Sequence, residues 1–434
     1  MTPQPWLGDR RSLWAEGFLA CVILGAGAWA GWRFFTSGYL PQPFLYDLNY
    51  PLMGLYDTAY WANHAGAYGP GRSIYPPLSF VFLRLVTRGA CYALGPAAGR
   101  RCDGSAAWVM LGVYLANILL VYRAFRPQGR AAALCRTTAV CLGLPMLYGL
   151  ECANLIIVSF TVFVLAFGAV ARCGPLRWLA LGLAINFKPY LMVVWLPSIL
   201  GRRWRWLAGT VVATGLVYLL TWALQGGGSP GNLGGDLLLY AIVISHNAWS
   251  DVYYATSYWP LIHLMTGPSR LFGLVTAGQA GAWVSLLTLL IRGAQIGVAA
   301  CLVAGARRPA AIDTRRFCAM ILALVLTTLA PGQSGYVQIF VFFLVFFEPW
   351  RGPVRIAVLL GAYLLCVPAD HILLRLIHGP VWSYLGGREV TADFGLSVGQ
   401  LIRPGLLLIV QYGLIALNLR DVAGPRDRAA PEPT

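Results

Sequence analysis

Residues 76–97 read PPLSFVFLRLVTRGACYALGPA, and whether this stretch crosses a bilayer fixes the side on which every later segment lies. It is apolar enough to span, and a span needs roughly 20 residues, but it carries Arg84 and Arg88 one helical turn apart. Two guanidiniums at mid-bilayer cost at least ~2.5 kcal/mol each on insertion scales. A helix lying at the interface keeps both in water. The segment therefore reads as a juxtamembrane helix. The bilayer itself follows from composition: the 434 residues are 58% hydrophobic and 11% charged, whereas soluble domains are near a quarter charged. The chain reads as an all-α, polytopic membrane protein.

With 76–97 not spanning, twelve apolar runs remain: 17–34, 106–124, 131–149, 153–171, 204–225, 277–303, 316–332, 336–350, 353–369 and 404–419, with the shorter 177–187 and 190–201 on either side of Phe187-Lys188-Pro189-Tyr190. The first run follows Arg10 and Arg11 and has no small-residue cleavage site, so it reads as an uncleaved anchor. Twelve spans make one polytopic domain, 1–434, with both termini cytoplasmic, in a bacterial inner membrane. Of the 31 arginines, twenty then fall inside, in clusters such as Arg123/Arg126/Arg130/Arg136 and Arg307/Arg308/Arg315/Arg316; ten fall outside and Arg292 lies within a span. If 76–97 crossed, the clusters from Arg123 onward would move outside, against the positive-inside rule. The net charge of +16 is thus mainly an orientation signal toward anionic lipid, and no nucleic-acid-binding module accompanies it. The ten cysteines are scattered, most within apolar runs, with no disulfide framework or CxxC pair expected.

Three outer loops remain, 35–105, 226–276 and 370–403, rich in Tyr, Trp, Gly and Pro. Loops of this length between spans are places for a site. The first holds Asp47 and Asp57 among aromatics, then Arg72 and Tyr75. A carboxylate partly desolvated by Tyr56, Tyr60 and Trp61 is a candidate general base toward a hydroxyl; alternatively Asp57 is the N-cap of a helix TAYWANHA. Lys188 is the only lysine in a chain that otherwise writes arginine. It precedes Pro189, which favours a helix break, and breaks at membrane depth are tolerated where they line a cavity. Lys188 either reaches a lipid-linked phosphate or snorkels to the interface. Glu151 and Asn154 open a span just after an outer turn, where they meet a substrate hydroxyl or pair with a nearby Arg. His246 and Asn247, with Trp249 and Asp251, form a polar knot in the second loop, and Asp370, His371, Arg375 and His378 form another in the third. Seven residues apart, His371 and His378 share a face if helical, but no third ligand has zinc spacing. The outer arginines Arg72, Arg84, Arg88, Arg375, Arg388 and Arg403 are fork-shaped donors for phosphate.

Taken in order, YPPL at 75–78, GLECANLIIVSF at 149–160 and LRWLALGLAINFKPYLMVVWLP at 176–197 followed by GRRWRW resemble the GT-C membrane glycosyltransferases, most nearly glycosyltransferase family 87, a polyprenol-phosphate-dependent mannosyltransferase-like group. Gly149 to Asn154 is similar to that family's G-Q-x-N stretch, and Gly182 to Pro189 to its G-L-x-x-x-x-K-P stretch. The resemblance covers residues 40–205. It implies transfer of a hexose, with inversion, from a polyprenyl-phosphate carrier to a lipid-linked or surface glycan, with a first-loop Asp as base and Lys188 on the phosphate. Substrate contacts are expected at Lys188, Arg72, Tyr75, Glu151, Asn154, His246 and Asn247. No metal or other cofactor is implied. Both Asp57-Thr-Ala-Tyr60 and Asp47-Leu-Asn-Tyr50 approximate the family's D-x-x-x-Y. The late outer turn, APGQSGYVQIF at 330–340, departs from the family's His and aromatics, which leaves Gln333, Ser334 and Tyr336 without an implied role. A flippase of lipid-linked sugars and a glycan polymerase or ligase are the competing classes.

Overall fold

The computed structural model describes residues 10–44, 51–69, 73–239, 259–266, 275–328 and 335–424, apart from 384 and 386. Among these, five helices are long and apolar enough to cross a membrane: Ser12–Ser37, Gly104–Gln128, Trp204–Gln225, Ala277–Arg307 and Val398–Ala423. The pair Arg130–Cys141 and Leu144–Glu151, bent by 41°, makes a sixth if it is one broken span. Twelve spans are therefore not formed. The apolar runs 153–171, 316–332, 336–350 and 353–369 yield helices Ile156–Phe167, Thr314–Thr328, Ile339–Val345 and Pro353–Leu365. At 1.5 Å per residue the longest of these is about 23 Å, short of the ~30 Å hydrocarbon layer. An apolar run measures composition, whereas a span needs an unbroken helix.

The helices that do span are apolar outward. Trp204–Gln225 buries Thr210, Thr214 and Thr221 and exposes Val212, Leu216, Leu219, Leu220 and Leu224, the reverse of a soluble helix. All three buried threonine hydroxyls are satisfied within their own helix, Thr210 onto Leu207 O (3.0 Å), Thr214 onto Thr210 O (2.7 Å) and Thr221 onto Val217 O (2.8 Å). This helix packs closely on Gly174–Phe187, because a Cβ on Gly182 would lie 2.9 Å from the Ala213–Thr214 backbone. Such small-residue contacts are the usual means of close approach between membrane helices.

Polar contacts sort the molecule into two ends. At one end, Arg136 donates to Glu16 (2.6 and 2.8 Å) and to Gln128 and the Phe346 carbonyl. There too Arg316 forks onto Glu348 (2.7 and 3.0 Å), with Asp421 and Arg355 alongside. At the other end, Ser383 Oγ donates to Gly38 O (2.8 Å), and the Gln42 amide bonds both backbone groups of Gly395. Segment 76–97 belongs wholly to this second end. It forms helix Pro77–Val86, about 15 Å long, whose Arg84 Nε donates to Ala62 O (2.5 Å) and whose following Arg88 N–H donates to Asp103 (2.8 Å). It does not cross.

Two expectations need correction here. The loop 370–403 is helical only from Val398 on: before it, β1 (Ile372–Trp382) and β2 (Glu389–Ser397) form an antiparallel hairpin. His371 and His378 therefore share no helical face; His378 instead sits opposite Asp393 and bonds its carboxylate (2.7 Å). The fold is otherwise helical among the described residues. Second, Cys91 and Cys102 are joined as a disulfide, with Cα atoms 5.5 Å apart, although no pairing was expected from their spacing.

Candidate functional site

The site gathers where helix Met53–Ala62 lands on the turn 149–154. Leu52 N–H donates to Glu151 O (2.8 Å), and a Cβ on Gly54 would lie 2.7 Å from Cys152 O, so only glycine permits this seat. Both partners bend sharply, with Leu52 at φ 62° and Ala153 at φ 46°. Left-handed conformations at residues other than glycine are strained and concentrate at functional sites.

Asn154 is fixed by two backbone contacts: its N–H reaches Gly149 O (2.9 Å) and its Oδ1 accepts from Ile156 N (3.0 Å). Its Nδ2 then points at two hydroxyls, Tyr75 (3.3 Å) and Tyr336 (3.1 Å). Helix Gly174–Phe187 ends at Lys188, where the backbone turns to φ −137° and Pro189 opens a 3-10 turn. The break expected from Lys188-Pro189 is thus formed. Lys188 is buried, 8% exposed, so it does not snorkel to solvent. Its Nζ sits 4.6 Å from the centre of the Tyr75 ring and 3.4 Å from the Tyr75 hydroxyl. Among the described residues it has no carboxylate partner. Burial pushes the Tyr75 phenol up to about 12, against hydrogen bonds with Asn154 and Thr58 that lower it. Tyr75 is therefore a neutral hydroxyl at physiological pH.

Asp57 lies in the middle of helix Met53–Ala62, so the N-cap reading does not hold. It shares a helical face with Tyr60 and Trp61, three and four residues on. Tyr60 is stacked on His64 at 4.2 Å and meets Trp61 edge-on at 5.0 Å. The carboxylate reaches the surface with no hydrogen-bond or ion-pair partner among the described residues. Partial burial raises it above the usual carboxylate range. Its buried neighbour Thr58 touches Tyr75, so the helix that carries Asp57 also borders the Lys188 cradle.

On the other side of the Leu52–Glu151 contact is a cavity of about 540 Å³, lined by Gly27, Gly31, Leu40, Phe44, Leu147 and Leu150 with Arg100 and Glu151. Leu40, Phe44 and Leu147 continue into the small cluster that holds Tyr148 and Tyr336, so the cavity and the Asn154 wall share a lining.

The structure thus brings together Tyr75, Asn154 and Lys188, with Glu151 on the adjoining cavity and Asp57 at the surface of the bordering helix. Asp47, Arg72, His246 and Asn247 lie outside the described residues, as do Gln333 and Ser334. Three of the outer arginines offered as phosphate donors have protein partners for their guanidinium groups instead. Arg84 holds the first loop together through Ala62 O, Arg375 faces Asp393 (3.7 Å), and Arg403 bonds Asp370 (2.7 Å) in a buried pair completed by Ser397 and Gly399. Arg292 is exposed and bonds Gln295 (3.1 Å), so it lines no interior path. Tyr336 is the residue that sequence reasoning left without a role; its aromatic position two residues after Ser334 was the only signal. Compared with protein families, with curated proteins and with solved structures, the chain matches none.

Proposed function

We propose that this protein is a GT-C-like glycosyltransferase that moves a hexose from a polyprenyl-phosphate carrier to a hydroxyl of a lipid-linked or surface glycan. One observation carries the reading: the only lysine of the chain is buried, without a carboxylate partner among the described residues, on a wall of hydroxyl and amide groups. A buried cation without a counter-ion is costly, and an anionic ligand offsets that cost. In the reaction, Asp57 takes the proton of the acceptor hydroxyl as its oxygen bonds the anomeric carbon. The bond from that carbon to the phosphate oxygen breaks, and the carrier leaves as a phosphate monoester stabilised by Lys188. A phosphate is a good leaving group, so one base and one cation suffice. Attack opposite the departing phosphate inverts the anomeric centre.

The end holding Glu16, Arg136 and Arg316 is assigned to the cytoplasm, because the arginine clusters of the chain lie there. The site then faces outward, at the surface of a bacterial inner membrane. The test is sugar transfer from a polyprenyl-phosphate donor by purified protein, comparing wild type with Asp57→Asn, Asp47→Asn and Lys188→Met. Loss of turnover in Asp57→Asn with donor binding retained is expected. Full turnover in both aspartate variants would remove the base, and unchanged donor affinity in Lys188→Met would remove the phosphate contact.

A further inference from the structure

Tyr190 stands two residues beyond Lys188, in the turn Pro189–Val194. Its ring packs edge-on against Phe340, centroids 6.3 Å apart, and it lies within electrostatic reach of Tyr75. Its hydroxyl is buried and has no hydrogen-bond partner among the described residues. Buried hydroxyls are nearly always bonded, because an unmade bond costs the full desolvation of the group. If Tyr190 served only to fill space, phenylalanine would do so at lower cost. Tyr363 also carries an unpartnered hydroxyl, but the cation near it, Arg136, is paired with Glu16. The cation nearest to Tyr190 in sequence is Lys188, two residues before it, which has no carboxylate partner among the described residues.

The groups around Tyr190 close a circuit. Lys188 reaches the Tyr75 hydroxyl, Tyr75 accepts from Asn154, and Asn154 donates to Tyr336. Phe340, four residues beyond Tyr336, returns to the Tyr190 ring. We propose that this circuit encloses a phosphoryl-binding site in which the Tyr190 hydroxyl and the Lys188 ammonium both donate to the oxygens of one lipid phosphate monoester. The inference rests on the phosphate role given to Lys188 above and adds a second donor that fixes the phosphate's orientation. An ammonium alone is a point charge that holds a phosphate without a preferred rotation. A second donor at a fixed angle supplies that preference.

Tyr190→Phe removes a single oxygen, and the sign of its effect on stability separates the two roles. Without ligand, the purified variant is expected to melt at or above the wild-type temperature, since an unsatisfied buried group is gone. Its affinity for dodecyl phosphate, measured by calorimetry in detergent, is expected to fall roughly tenfold or more, as for a hydrogen bond to a charged group. Dodecanol, with the same chain and no charge, is the control and is expected not to bind. A lowered melting temperature with unchanged dodecyl phosphate affinity would make the hydroxyl structural and overturn the assignment. A wild type that does not bind dodecyl phosphate would overturn the phosphate role of Lys188 and this inference together. Binding that is intact in wild type and weakened in Tyr190→Phe, in a protein that transfers no sugar, would sustain the site and sink glycosyl transfer alone.

Discussion

The pairing of Glu16 with Arg136 gives a quantitative test of how the chain is threaded. Arg136 and Glu16 are 6% and 2% exposed. Both Nε and Nη2 of Arg136 donate to one Glu16 oxygen, at 2.8 and 2.6 Å, and Nη1 serves Gln128 and the Phe346 carbonyl. Trp350 Nε1 also donates to that glutamate. Arg136→Met strands a buried carboxylate, a loss of about 3–5 kcal/mol for such pairs. Glu16→Met strands the guanidinium at a similar cost. The double variant leaves no stranded charge, yet the Phe346 carbonyl and the Trp350 N–H each lose a partner, at about 1 kcal/mol apiece. The expected double-variant cost is therefore about 2 kcal/mol, well below the sum of the singles. The assay is a double-variant cycle on unfolding free energies in detergent, read by denaturant titration with two probes. Strictly additive single losses, within the ~0.5 kcal/mol seen for independent sites, would refute the contact. The placement of residues 16, 136 and 346 at one end of the molecule would fall with it.

The raised carboxyl of Asp57 makes the protein's stability pH-dependent in a definite direction. The folded state holds this proton more tightly than the unfolded chain, so the stabilisation is complete below the ordinary value of 3.8 and is lost as pH rises through the elevated folded value. Thermal melting of Asp57→Asn from acid to neutral pH is expected to lose part of the wild-type decline; identical slopes would contradict it. Replacing Cys91 and Cys102 together by Ala reopens a loop with sequence separation 11, an expected loss of roughly 2–3 kcal/mol, and an unchanged melting temperature would refute the disulfide. Gly182→Val puts a branched side chain where a Cβ already meets the backbone of 213 and 214 at 2.9 Å. The expected cost is about 1–3 kcal/mol, accompanied by displacement of Lys188 and weaker phosphate binding, whereas wild-type stability would show that the two helices are not in contact there.

Several parts of this architecture are legible in the amino-acid order because a local cause produces them. Arg84 and Arg88 hold helix Pro77–Val86 at one end, since burying both in hydrocarbon would cost too much. Pro189 ends a helix whatever surrounds it. The number of spans was not legible: residues 339–347 are continuously apolar, yet the regular helix within them is only Ile339–Val345. The hairpin was hidden because a spacing of seven between His371 and His378 fits a helix as well as a strand, and its register depends on Gln42 and Tyr39, over 350 residues away. The candidate site divides the same way. Lys188 stood out as a singular residue type, while Tyr336 acquires its place only through Asn154, 182 positions earlier.

The latch between the Gln42 amide and Gly395 spans 353 positions of sequence, and this imposes an order on biosynthesis. At roughly 5–20 residues per second, the first helix has left the ribosome for roughly 20–70 seconds before its partner strand exists. Throughout that interval the segment from Gly38 to Phe44, which forms part of the cavity lining, lacks the backbone groups that later fix it. That wall of the cavity is thus completed only once the strand ending at Ser397 has been made. A nascent chain stopped short of residue 370 carries the Lys188 wall without its finished neighbour.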